Sequence, residues 1–578
     1  MSNNDMNSKD FLLGVVVGGI IGAATALLLA PGVIVAGMLH RRGQLRPTYV
    51  VPVAALVACL VGYATVGVYL LNPALGRVAS AVVLLGEIAA VVALAAVPAW
   101  RRLLRALDVW FPPALLAAVA LFYLGASWAC QIDGFSCLTY GYPPDNVLPL
   151  WFADNVAAGA PLTLMGDWHG SDRPPLQSGV VLAHALLTLD GPIRELAYQV
   201  LGCLLQCLWV VAVWGAGRRL ALSPARIAAV LALCVTSGFF YLNSFYVWPK
   251  LLAGALAMVG VLLLFAEPAS RVTWALAAAF LAAALLAHTG VVFPLIPLAV
   301  LLFARRRYRP PLRVLPVAAL VGLALLGPWM LYQNLIDPPG NRLVKWHLAG
   351  VIEIDERSFG QALWDQYSQT PVATLLANRI ESLRIVLAGP PWERPNPLTD
   401  GFFADFPGAT TLRAVEFRST LLALGLVAIG GLLLLWPRAR ARVREAGVDV
   451  TLLRLLLGGA ALGLLVWILM MFDGGSTVIH QGSYLTMIML FVGLATVVVT
   501  QPRLVVATVL SLQAGYFLLV WLIDPLTLGP VKPVWLVWAT TGLAGVGAAL
   551  AIVGRQRGVA DPQSAPAAPA EAVLSADG

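Results

Sequence analysis

Residues 291–313 read VVFPLIPLAVLLFARRRYRPPLR. Fourteen residues without a charge or an amide end abruptly in five arginines within nine positions. A soluble core gives no reason for such a boundary, but a bilayer does. Hydrocarbon takes the apolar run, and arginines stay on the cytoplasmic side. The same pattern recurs along the chain. Apolar runs lie at about 11–39, 48–71, 78–99, 113–130, 196–217, 225–242, 250–266, 272–288, 291–304, 313–333, 419–436, 451–471, 484–500, 503–522 and 533–553. Arginine clusters at 40–46, 100–105, 217–226, 305–313, 438–444 and 555–557 separate them. The composition agrees: the 578 residues are 60% hydrophobic and 11% charged. The chain therefore reads as an all-α polytopic membrane protein with about 13–16 transmembrane helices, because a β-barrel would show short alternating segments.

The formal net charge of +8 sits in the short arginine loops, so it reads as topology and not as a nucleic-acid surface. Alternating crossings place every arginine cluster on the cytoplasmic side if PPLQSGVVLAHALLTLD (174–190) is a short half-buried or interfacial helix. Three polar segments then share the other side: the loop 131–178, the long loop 334–418, and DGGSTVIHQGS (473–483). YLNSFYVWPK (241–250) and HTG (288–290) join them. Residues 1–112 read as accessory N-terminal helices, 113–333 as a catalytic membrane module, and 419–554 as C-terminal helices. The Ala/Pro-rich residues 555–578 read as a disordered cytoplasmic tail. Cys59, Cys203, Cys207 and Cys234 fall inside apolar runs and read as packing residues. Cys130 and Cys137 bracket QIDGFS and are able to close a local disulfide if that loop meets an oxidising compartment.

The first loop reads YPPDNVLPLWFADNVAAGAPLTLMGDWHGSDRPPLQSG (142–179). Asp145 opens an amphipathic segment that ends at Gly159. It has two readings: a helix N-cap, or a carboxylate held at the membrane surface as a general base. The order acid, amphipathic helix, Gly166-Asp167-Trp168, then Asp172-Arg173-Pro174-Pro175-Leu176 resembles the first periplasmic loop of GT-C glycosyltransferases. Lipid A aminoarabinose transferases and protein O-mannosyltransferases are the members it is most similar to. GRRLALSPAR (217–226), YVWPKLLAG (246–254), HTGVVFPLIPLAVLLFARRR (288–307) and GPWMLYQNLIDPPGNRLVKWH (327–347) continue the likeness in order across residues 113–350. Separately, residues 7–31 resemble the opening helix of YtxH-like small membrane proteins.

The GT-C resemblance implies a helical bundle whose extracytoplasmic loops carry short amphipathic helices, in the inner (plasma) membrane. It implies inverting sugar transfer from a polyprenyl-phosphate donor to an envelope glycan, lipid or protein. Asp145 would be the base, with Arg173, Lys250, Arg342 and Lys345 as candidates for the donor phosphate. The family's paired acid is Asn146 here, and Lys250 stands where its motif has Asp. A divalent metal (zinc, or magnesium or manganese) would sit on Asp172, His347 and His480, with His169 and His288 as alternates. Asp167, Trp168 and Trp392 would line a substrate groove, with Phe402 and Phe403 nearby in the long loop. An O-antigen polymerase or ligase is the competing enzyme class. A lipid or solute transporter is the competing class outside enzymes, although only Glu87 stands out as a mid-span charge.

Overall fold

A chain in hydrocarbon must satisfy its backbone hydrogen bonds internally, and this one does so with helices. The computed structural model describes residues 8–127, 144–190, 193–388, 416, 419–477, 483–523, 531 and 533–555. The first module runs α1 (Ser8–Arg41), α2 (Val50–Leu71), α3 (Pro73–Ala96), α4 (Pro98–Leu104) and α5 (Leu107–Ala126). In the first polar loop, α6 (Leu148–Ala158) precedes a small antiparallel ladder, β1 (Thr163–Met165) with β2 (Trp168–His169). The chain then turns inward as α7 (Leu176–Ala183) and α8 (Ala185–Thr188).

Next come α9 (Arg194–Gln206), α10 (Trp209–Arg219), α11 (Pro224–Val235), α12 (Gly238–Phe245), α13 (Lys250–Ala266), α14 (Arg271–Ala287), α15 (Val292–Ala304) and α16 (Leu315–Leu331). The second polar loop holds α17 (Arg342–Ala349), α18 (Phe359–Gln369) and α19 (Val372–Ala388). Apolar helices at Ile429–Leu435, Val450–Met470, Tyr484–Val499, Arg503–Phe517 and Pro533–Arg555 complete the described chain. It is a multi-pass helical membrane protein.

Nine helices among the described residues are long and apolar enough to cross a membrane, ten if α11 and α12, bent by 67°, form one span. Five shorter apolar helices occupy the remaining runs, among them α13, α14 and Tyr484–Val499. Seventeen residues at ~1.5 Å each reach about 26 Å, the lower end of what a span takes, and α13 extends from Lys250 beside Asp145 to the turn at Glu267 beside Arg219. α13 and Tyr484–Val499 are buried along nearly their whole length, so neighbouring helices, not lipid, surround them.

Turn chemistry sets the boundaries. Asn72 ends α2 and caps α3, accepting from the Ala74 and Leu75 N–H groups at 2.8 and 3.2 Å, with Pro73 opening the helix. Ser223-Pro224 starts α11 in the same way.

Helix α7 is not interfacial but buried throughout. It crosses α2 where Gly62 meets Gly179: a Cβ on Gly179 would lie 2.5 Å from the Gly62 carbonyl oxygen. Helix α3 holds the same re-entrant segment through side chains. Arg77 reaches Asp190 at 2.6 Å, Ser80 donates to the Leu182 carbonyl at 2.7 Å, and Glu87 lies 3.1 Å from His184 Nε2. Glu87 and His184 are only 5% and 10% exposed. The N-terminal helices thus pack directly on the element that leads out of the first polar loop.

The arginine-bearing ends gather at one pole. Asp108 accepts from Trp214 Nε1 at 2.8 Å and faces Arg218 at 3.1 Å. Glu267 lies between Arg46 and Arg219, and Arg226 reaches the Ala446 carbonyl at 3.1 Å. The polar loops meet at the opposite pole, where the Phe472 N–H donates to the His347 carbonyl at 2.8 Å.

Candidate functional site

Asp145 does not cap α6. That helix is preceded by Val147 with no side-chain cap, and Asp145 sits one turn earlier in a short 3-10 segment. Its carboxylate pairs with Arg173 at 2.8 Å. The two share a pocket with Lys250 and His288, walled by Phe152 and Trp248. Four separate segments supply these side chains. The pocket is narrow, a cavity of about 30 Å³.

A buried chain of amides holds the pocket's floor. Tyr198 donates to the Asn146 carbonyl at 2.5 Å. Gln177 donates to the Val247 carbonyl, and Gln206 donates to Gln177 at 2.9 Å while accepting from the Leu252 N–H at 2.9 Å. The turn bearing Asp145, the start of α7 behind Arg173 and the start of α13 bearing Lys250 are therefore tied to one network. These partners matter because a buried amide left without them costs roughly 1–3 kcal/mol. Val247 adopts φ 51°, a left-handed conformation unfavourable for a β-branched residue. It turns the backbone at the break between α12 and α13, where Lys250 Nζ then lies 3.5 Å from the centre of the Trp248 ring.

The segment GDWHGSDRPP is fixed from the second polar loop. Asp337 lies 2.7 Å from His169 Nδ1 and accepts from the Ser171 N–H at 2.8 Å. Gln333 donates to the Ser171 carbonyl at 2.9 Å. Asp172 turns back on its own loop, accepting from the His169 N–H at 3.0 Å. Burial pushes its carboxyl above the ordinary range.

Arg342 and Lys345 lie outside the Asp145 pocket, each already bonded. Arg342 donates to the Ile352 carbonyl at 2.6 Å, the Asp167 carbonyl at 3.1 Å and the Asp167 carboxylate at 2.9 Å. The Arg342 bond lowers the Asp167 carboxyl. Lys345 donates to the Asp355 carbonyl and carboxylate, both at 2.9 Å. With Arg357, it holds the Asp355 carboxyl down to about 2. Trp168 has Arg342 4.1 Å and Arg173 5.5 Å from its ring centre, and meets Trp346 edge-on. Its ring thus lies against two arginines while the residue stays half-buried.

His347 stacks on Trp346. No group of three or more His, Cys, Asp or Glu side chains suited to a metal occurs among the described residues. Asp172 accepts from the His169 backbone through one oxygen. His480, Trp392, Phe402, Phe403, Cys130, Cys137 and the tail from 556 lie outside the described residues. The four other cysteines are buried thiols.

Asp337, Gln333, Gln177, Gln206 and Tyr198 are site-building residues that sequence reasoning passed over. An amide inside an apolar run, as in PPLQSG and LLQCLW, was the available signal.

No family model matches the chain, and no solved structure matches it. A 31-residue stretch, 5% of the chain, is 68% identical to "Uncharacterized protein YtxH" of Bacillus subtilis (strain 168). The chain covers 20% of that protein's length.

Proposed function

We propose that the chain is a membrane glycosyltransferase, moving a sugar with inversion from a polyprenyl-phosphate donor to an acceptor hydroxyl on an envelope glycan, lipid or protein. The reaction takes place on the extracytoplasmic face. The observation that carries this reading is the Asp145–Arg173 pair, sharing one pocket with Lys250. Inverting transfer needs a base at the acceptor hydroxyl and cations at the departing phosphate. One carboxylate and two cations meet that need.

The narrow pocket admits water but not a sugar, so donor binding has to part the ion pair. A phosphate offers Arg173 more acceptor oxygens than the single carboxylate contact does. Its arrival frees Asp145 to take the acceptor proton as the hydroxyl oxygen bonds to the anomeric carbon. The bond from that carbon to the phosphate oxygen breaks, and the phosphate leaves with the electron pair, held by Arg173 and Lys250. An apolar crevice of about 370 Å³ between α2 and α16, lined by Tyr63, Trp329 and Tyr332, suits the polyprenyl tail. Phe152 joins it to the pocket, with its ring 6.5 Å from Trp329.

The test is transfer from radiolabelled polyprenyl-phosphate sugars by purified protein. Asp145→Asn should lose about 10²–10⁴-fold in rate. Full activity in the variant removes Asp145 as the base. A transporter is the second reading, favoured by the buried Glu87–His184 pair. Inactivity with every lipid-linked donor, together with uptake into liposomes, would decide for it.

A further inference from the structure

Helix α19 (Val372–Ala388) belongs to the second polar loop, yet a row of its aliphatic side chains faces outward. Val372, Leu376, Ile380 and Leu383 are 81%, 62%, 61% and 43% exposed. Spacings of four, four and three residues put them on one stripe of the helix. A second side packs on protein. Asn378 donates to the Phe472 carbonyl at 3.1 Å, and Arg379 donates to the Met471 and Phe472 carbonyls at 2.5 and 2.9 Å. Ser382, Ile385 and Val386 are buried on that side. The third side is charged: Arg384 pairs with Glu381 at 3.3 Å, where both side chains reach solvent. One helix thus presents a protein face, a water face and an exposed apolar face.

Its contacts also set its direction. Asn378 and Arg379 are held just past the end of the apolar helix Val450–Met470. Further along, the Leu387 carbonyl accepts from Ser419 Oγ at 2.6 Å, where the apolar run 419–436 begins. The arginine cluster 438–444 lies at the far end of both runs, so residues 419 and 471 mark the same membrane boundary. The stretch from Asn378 to Leu387, about 14 Å of helix, therefore runs along that boundary and not through it. Both elements that it bridges expose leucines within a turn of the boundary, Leu421 and Leu422 on one and Leu465 and Leu469 on the other. Lipid-facing surface thus reaches the level of α19 on each.

We propose that α19 lies in the non-cytoplasmic leaflet at headgroup depth, with Val372, Leu376, Ile380 and Leu383 seated against the acyl chains. Removing apolar surface from water into the acyl boundary is what holds a one-sided helix on a membrane. The second polar loop is then anchored to lipid as well as to the bundle. This anchoring is independent of the transfer reaction proposed above.

The experiment uses the full-length protein in liposomes of phosphatidylethanolamine and phosphatidylglycerol. Leu376, Ile380 and Arg384 are replaced in turn by p-acetylphenylalanine, which takes a ketone-directed spin label and leaves the native cysteines untouched. Oxygen, which concentrates in lipid, and a water-soluble nickel chelate are compared as relaxing agents. Labels at 376 and 380 should favour oxygen, with an oxygen-to-nickel ratio severalfold above that at 384, as a helix sunk on one face requires. Equal ratios at the three positions, or a nickel preference at 376 and 380, would put the stripe in water and overturn the proposal. Relaxation by neither agent would put protein over the stripe, the chain's own or a second copy's, and would overturn it too. All three positions are exposed, so the labels displace no packed side chain.

Discussion

Two pairs of cations stand at the same pole of the molecule, in contrasting surroundings. Arg342 and Lys345 are buried, and each is bonded to a carboxylate and to backbone carbonyls. Arg173 and Lys250 share a pocket with one carboxylate between them. The first pair ties the polar loops together through Asp167, Ile352 and Asp355; the second lines a pocket beside Asp145, where the proposed donor phosphate would meet it. Position in a polar loop therefore says little about what surrounds a cation.

The sharpest way to break this contrast is to exchange the effects of the two pairs. Arg173→Gln should lower donor kcat/KM by about 10²-fold, as removal of an oxyanion-type donor does, at temperatures well below its own melting point, where the variant is still folded. Arg342→Ala should lower the melting temperature and leave kcat/KM near wild type, because it removes a buried guanidinium that donates to the Ile352 and Asp167 carbonyls. Thermal unfolding and transfer assays on both variants decide the matter, and a large kinetic loss in Arg342→Ala without unfolding would abolish the distinction.

A smaller effect tests burial on a carboxyl instead of a cation. Glu416 accepts from Trp521 Nε1 at 2.8 Å, Tyr516 at 3.2 Å and the Gly238 N–H at 3.1 Å, yet burial pushes its carboxyl up to about 7. Because the folded value lies above the unfolded one, its contribution is present at low pH and is lost as pH rises from about 4.5 to about 7. The melting temperature should fall over that interval, and Glu416→Gln should flatten the fall. An unchanged profile in the variant would assign the pH dependence to another group. Smallest of all, Asp337→Asn weakens two bonds to the Arg173 segment, a change of about 1 kcal/mol. It should slow transfer severalfold without changing the pH profile; no kinetic change would make Asp337 a stability residue only.

Hydropathy located the helical segments well, because lipid solvation is a local property of a run. It does not tell a lipid-facing run from one enclosed by other helices, as α13 and Tyr484–Val499 are, because both are equally apolar. Asp145 and Arg173 were legible as candidates, and their pairing was not. N-cap chemistry was the local alternative, and only the return of α7 against α2 sets Arg173 beside Asp145. Arg342 and Arg173 read alike in the sequence, and their different partners, Asp167 and the Ile352 carbonyl for the one and Asp145 for the other, did not show there. Contacts like Asn146–Tyr198 or His169–Asp337 join positions 52 and 168 residues apart, and no periodicity encodes them.

The Glu87–His184 pair has a consequence for how the protein is made. The two positions lie 97 residues apart. At about 5–20 residues per second, helix α3 leaves the ribosome roughly 5–20 seconds before its imidazole partner exists. During that interval an acidic residue must wait in a half-assembled bundle, at a depth where lipid offers it nothing. Insertion of α3 is therefore provisional until α7 arrives, and a nascent chain stalled between residues 100 and 180 should leave α3 open to quality-control proteolysis. A chain that has passed residue 190 should resist it.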